Sequence, residues 1–238
     1  LDRYASSWRM QRFDEDTRVG WVGRLVDELA TQIMCHINGA AAVTPINLLA
    51  VTLLATPRQA MPIVDLERQV DLYLALLRDS PYSARTTVTA LNGAEVIAYG
   101  ESMQVLQRQP HRLGDLARMS EEGAVLMTYY RNNVLHLFAL PSLIACAFIS
   151  NAVVPTEDIQ RLAWRIYPYI SAELFLKWSE QELPAAVDDM LQALARQGIL
   201  EPVEGGRAWR RPAPTSPRAV QLSLLSQATI QTIERYYL

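Results

Sequence analysis

Residues 124–138, AVLMTYYRNNVLHLF, crowd Tyr129, Arg131, Asn132, Asn133 and His136 into one short stretch. Arg131 carries a planar fork of N–H donors that fits a carboxylate or a phosphate. His136 lies one turn past Asn132 and Asn133 on a neighbouring face. The chemistry on offer is recognition of an anion or of a polar partner, since no spacing here reveals a nucleophile beside its base. The residues around the cluster set its geometry. Val125, Met127, Tyr130, Val134, Leu137 and Phe138 recur at three-or-four spacing, which predicts a core-facing helix. Polar groups in the middle of such a helix must find partners or cost free energy. Either they meet another polar surface, or the helix has a merely wet charged face. Tyr129, Tyr130, Arg131, Asn132, Asn133 and His136 form the candidate contact set.

The same stretch carries a resemblance. AVLMTYYRNNVLHLFALP (124–141), together with AAAVTPINLLAVTLLAT (40–56), QVDLYLALLRDSPYS (69–83), ELFLKWSEQEL (173–183) and TIERYYL (232–238), resembles the C-terminal region of bacterial membrane-associated glycerol-3-phosphate 1-O-acyltransferase over nearly the whole chain. The resemblance implies a parent enzyme that moves a fatty acyl group from acyl carrier protein or coenzyme A to the 1-hydroxyl of glycerol 3-phosphate. It also implies that the catalytic part lies upstream, because the family assigns that work to a His-x-x-x-x-Asp motif and to a phosphate-binding Arg. His36 is followed by INGAA and His136 by LFALP, and Asp115 falls one residue too early after His111. No catalytic residue is therefore expected in this chain, and no metal or cofactor. The expected partners are the upstream catalytic domain, the acyl donor of the whole enzyme and an anionic membrane surface. The expected location is peripheral, at the cytoplasmic face of the bacterial inner membrane.

Composition fits a helical domain. The chain has 238 residues, half of them apolar, and a formal charge of −3, which argues against generic nucleic-acid binding. Cys35 and Cys146 lie far apart without C-x-x-C spacing and read as small buried hydrophobes. Leu1 is not a natural start, so the chain reads as a fragment. A membrane-spanning helix needs about 20 apolar residues. The longest candidates, 39–56 and 134–149, are shorter and are interrupted by Pro45 with Asn47 and by His136 with Pro141. They read as buried core helices.

In chain order, residues 1–16 suit a linker from a preceding domain. Val19, Val22, Val26, Leu29 and Ile33 then predict an amphipathic helix ending near Gly39. Thr44–Pro45 opens a helix to about residue 55, a second covers 63–79, and a third runs from Asn92 or Gly93 to about 101. Short strands on either side of a turn at 110–114 complete a helix–helix–helix–hairpin order, the order of a winged helix, over 17–123. The helix over 124–139 follows. In 140–212 the order recurs, with helices at 140–150, 156–167 and 182–197 and a hairpin over 199–211 turning at Gly205–Gly206. Residues 213–238 read as a Pro-rich linker and a closing helix. The expected fold is mainly α, with two winged-helix-like modules joined by a central helix.

Winged helices often bind DNA, which needs cations on the third helix. The first such helix carries Glu95 and Glu101 with no Lys or Arg, and the second carries Glu182, Asp188 and Asp189 against Arg196. No nucleic-acid partner is expected. The second hairpin differs, for Arg207, Trp209, Arg210 and Arg211 crowd together. A Trp among arginines suits an anionic bilayer surface, or the hairpin is solvated and its Trp packs on the domain. Trp8 and Trp21, near Arg9, Arg12, Arg18 and Arg24, make a second candidate membrane surface. The rival to an acyltransferase part is a free-standing helical adaptor that binds proteins and does no chemistry.

Overall fold

A computed structural model describes residues 20–119 and 123–230. The expected linker at 1–16 with Trp8, the stripe residue Val19 and the closing TIERYYL lie outside them. The fold is mainly α. Helix α1 spans Gly20–Gly39, and β1 (Ala42–Val43) leads into α2 (Pro45–Leu54). At the start of α2 the Thr44 side chain accepts from the Asn47 N–H and the Asn47 side chain reaches back to the Thr44 N–H. This reciprocal cap, with Pro45 at the first turn, explains why the helix starts there.

A winged-helix arrangement follows. Strand β2 (Ala60–Pro62) enters α3 (Ile63–Asp79), β3 (Thr87–Val88) pairs in parallel with β1, α4 spans Gly93–Ser102, and β4 (Leu106–Gln109) and β5 (Leu116–Met119) form the hairpin. The sheet order is β2-β5-β4, antiparallel throughout, with Met61 opposite Ala117 and Arg108 also opposite Ala117. After α5 (Ala124–Asn132), α6 (Leu135–Cys146) opens a second unit of the same design. Strand β6 (Val153–Pro155) enters α7 (Thr156–Leu174), then come α8 (Leu183–Arg196), β7 (Glu201–Val203) and β8 (Ala208–Arg210), in the order β6-β8-β7. Both first strands end in proline, which has no N–H for a ladder. In each, the next residue donates across the sheet instead, Ile63 N–H to Asp115 O at 2.9 Å and Thr156 N–H to Arg207 O at 2.8 Å. Helix α9 (Pro217–Gln227), capped by Ser216, packs on α6 and α3.

Three expectations change. The helix predicted over 124–138 is two helices, because Asn132 and Asn133 prefer caps and turns to helix interiors. At that break the Val134 N–H bonds Arg131 O, three residues back. Pro141 does not open a helix but lies inside α6, where it withholds an N–H from the Leu137 carbonyl. The short strands β2 and β6, absent from the sequence reading, supply the third strand of each sheet. One hydrophobic core runs through both units, from Val43 in β1 to Ala228 after α9. No helix among the described residues is long and apolar enough to cross a membrane.

Gly93 shows how tightly α4 sits on α3. Its N–H bonds Asp71 Oδ1 at 2.7 Å, and a Cβ there would stand 2.6 Å from the Glu67 backbone oxygen. Gly23 in α1 has nothing within 4 Å of that position. Gly93→Ala should therefore destabilise the chain by about 1–3 kcal/mol, whereas Gly23→Ala should stabilise it by about 0.5–1 kcal/mol through helix propensity. Urea unfolding of the two variants should shift in opposite directions, and shifts of the same sign would contradict this packing.

Candidate functional site

The predicted cluster separates in space. Its outer members lie on α5, a helix that buries Met127 and half-buries Tyr130 but exposes Val125 (85 %) and Tyr129 (64 %). The premise that the polar residues sit in an otherwise buried helix therefore fails for α5. The Tyr129 and Tyr130 rings meet edge to face at 6.0 Å. Arg131 is half-buried and gives its Nη2 to Asn132 Oδ1 at 3.1 Å, while Asn132 and Asn133 are exposed. The buried end of α5 is fixed by α2, where Asn47 Nδ2 donates to Tyr130 O at 2.7 Å.

His136, on α6, goes inward and is 2 % exposed. Its Nε2 stands 3.0 Å from Asn38 O at the end of α1, so the neutral ring carries its proton on Nε2, because a carbonyl only accepts. Burial pushes its pKa down to about 4, partly offset by that hydrogen bond. Around it lies a junction that the sequence reading did not assemble. The Tyr82 ring meets His136 at 5.2 Å and Trp178 at 5.3 Å, both edge to face. Lys177 Nζ sits 4.7 Å and 5.0 Å above the Tyr82 and Trp178 ring centres and donates to Tyr82 O. The Lys177 N–H bonds Tyr82 Oη at 2.9 Å, and Tyr167 Oη donates to Trp178 O at 2.6 Å. Asn38 Nδ2 reaches Leu174 O at 2.7 Å and Phe175 O at 3.1 Å, the latter a left-handed residue ending α7. The signal for this junction was present in the sequence, since Tyr82, His136 and Lys177–Trp178 belong to three of the stretches that carry the resemblance.

The junction does not read as a site of proton chemistry. Burial pushes the Tyr82 and Tyr167 hydroxyls up and the Lys177 ammonium down, and each of the three already has a hydrogen-bond partner. His36 and His111 are exposed, and His111 Nδ1 accepts the Leu113 N–H at 3.2 Å. Among the described residues no group of three or more His, Cys, Asp or Glu could hold a metal ion. The arrangement positions elements: α1, the loop after α3, α6 and the end of α7 meet at one point.

The second hairpin corrects an expectation. Trp209 is 2 % exposed and its Nε1 donates to Thr156 Oγ1 at 3.0 Å, so it packs in the core and offers nothing to a bilayer. Alternation along β8 turns it inward. Arg210 pairs with Glu201 at 3.2 Å across the sheet, and Arg211 gives Nη1 to the Phe148 and Ile149 carbonyls at 3.3 Å. Arg207 is exposed and Trp21 half-buried. An open groove of about 730 Å³ beside the hairpin is lined by Val153, Leu200, Pro202, Arg210 and Pro212.

A buried histidine held neutral makes folding stability depend on pH. The unfolded chain takes up a proton below about 6.5 and the folded one only near 4, so this part of the stability is complete above the first value and lost as pH falls to the second. Between them the wild-type chain should lose about 3 kcal/mol that His136→Gln does not lose. Urea unfolding of both proteins across that range measures the difference, and parallel curves would place the imidazole in water.

Comparison with known proteins agrees with the resemblance. The family described as glycerol-3-phosphate acyltransferase C-terminal region matches residues 1–238. Proteins named glycerol-3-phosphate acyltransferase from Pseudomonas paraeruginosa and Pseudomonas aeruginosa are each 44 % identical to the chain, and one from Pseudomonas fluorescens is 42 % identical. Each match covers all 238 residues of the chain and 28 % of the relative, so the chain spans little more than a quarter of the length of these proteins. The chain belongs to the glycerol-3-phosphate acyltransferase C-terminal region family.

Proposed function

We propose that the chain is the non-catalytic C-terminal part of a glycerol-3-phosphate 1-O-acyltransferase, which transfers an acyl group from acyl carrier protein or coenzyme A to glycerol 3-phosphate and so makes lysophosphatidate, the first step of phospholipid synthesis. The observation that carries this reading is a family match over the whole chain that covers 28 % of full-length relatives. In this sequence none of the three histidines has an aspartate five residues on, and His136 is sealed in the core. The chemistry then belongs to an upstream catalytic domain, and this part folds against that domain. On the same reading the whole enzyme works peripherally at the cytoplasmic face of the bacterial inner membrane.

The surface assigned to the catalytic domain is the exposed side of α5 with Tyr129, Arg131, Asn132 and Asn133. Its exposed Val125 and Leu126 support a protein contact, because an apolar pair beside polar groups suits an interface better than open water.

Purified alone and mixed with glycerol 3-phosphate and an acyl thioester, the chain should form no lysophosphatidate above background. Product formation would refute the division of labour. Tyr129→Ala should change the unfolding free energy of the chain by no more than about 0.5 kcal/mol, as expected at an exposed site, yet lower the activity of the full-length enzyme. Full activity in that variant would remove α5 from the contact surface.

A further inference from the structure

Helix α1 is built as an amphipathic helix but leaves its apolar side uncovered. Val26, Leu29, Ile33 and Ile37 follow one another at three-or-four spacing with Met34 beside them, and all five are exposed, Ile33 and Ile37 by 57 % and 58 %. Among the described residues, none of α1 belongs to the hydrophobic core or packs against it. The helix is nevertheless held firmly at one end. Arg85 Nη2 bonds His36 O at 3.2 Å, Thr86 Oγ1 bonds Gly39 O at 3.3 Å, His136 Nε2 reaches Asn38 O, and Cys35 Sγ lies 3.3 Å from Phe175 O. These contacts come from three separate elements and fix the direction in which α1 leaves the body. A helix in a folded protein draws most of its stability from packing of its apolar face, so the exposed stripe of α1 calls for a cover.

Charge and covalent connection choose among the covers. A helix lying in an anionic membrane surface carries Lys and Arg on its polar face, whereas α1 has Arg24 against Asp27 and Glu28. A second copy of the chain would have to associate at its free concentration. A body joined to the chain ahead of α1 would not, because a covalent connection holds its two ends at an effective concentration in the millimolar range. We infer that the Val26–Leu29–Ile33–Ile37 face of α1 is the surface on which the upstream part of the longer acyltransferase packs, an inference that rests on the proposed function above. It adds a second contact to the α5 surface and gives the junction at His136 a purpose, which is to aim α1.

Hydrogen exchange on wild-type protein tests this without a variant that fails to fold. Amides of residues 26–37 should exchange at least about tenfold more slowly in the full-length enzyme than in the isolated chain. Equal rates in the two would overturn the inference. So would slow exchange in the isolated chain that grows with protein concentration alongside a dimeric mass, which assigns the face to a second copy. Slowing that requires vesicles of phosphatidylglycerol and phosphatidylethanolamine would assign it to lipid and equally overturn it. A natural enzyme that purifies at the mass of this chain alone would remove the proposed function itself, a failure distinguishable from an unprotected α1 in a longer protein.

Discussion

Helix α6 is buried on every side, from Leu135 to Ala145, and a helix without a wet face has to be surrounded. Helices α7 and α8 of its own unit and α9 from the end of the chain enclose it, and α9 also packs on α3 of the first unit. The few polar groups of α6 then have to be satisfied inside. Ser142 donates to Ser226 O at 3.1 Å and accepts from Thr229 Oγ1 at 2.7 Å, which ties the end of α9 down. His136 finds the Asn38 carbonyl and ties down α1. Helix α2 repeats the pattern, with residues 46–53 buried and Asn47 spent on its own cap and on Tyr130.

The two sheets share a strand order and the same proline-ended entry strand, so one design serves twice. The third helix of the first unit carries no Lys or Arg, and that of the second only Arg196. Glu95 closes the cap of α4, and Arg196 at the end of α8 is paired with Asp79 at 2.9 Å across the two units. The buried Trp209 and the paired Arg210 serve the sheet itself. Among the described residues, exposed apolar side chains form a stripe on α1 and a pair, Val125 and Leu126, on α5, and stand singly elsewhere, as at Leu113 and Trp164.

Most helices were legible in the sequence, because their start signals are local: Thr44–Pro45, Pro62, Asn92 and Pro155 all mark real helix starts. The hairpin turn at Gly205–Gly206 was legible for the same reason, since both glycines adopt positive φ at no steric cost. Strands β2 and β6 were not, as three residues ending in proline show no alternation. The period of α1 was correct, but periodicity says only that one face needs cover and not what covers it. Asn132–Asn133 was read as a polar surface when it is also a break. Trp209 was read from its arginine neighbours, whereas alternation along a strand sends adjacent side chains to opposite faces. The junction of Tyr82, His136, Lys177 and Trp178 joins residues up to 96 positions apart, which no local pattern announces.

Under the proposed function these features suit a positioning role, in which the His136 junction aims α1 toward a catalytic part that lies upstream. Complementation in trans tests that claim most directly. A glycerol-3-phosphate acyltransferase truncated just before the segment equivalent to Leu1 should make little lysophosphatidate alone, and adding the purified chain should restore synthesis in a saturable way. A truncated enzyme as active as the whole one, or activity in the chain by itself, would contradict the account.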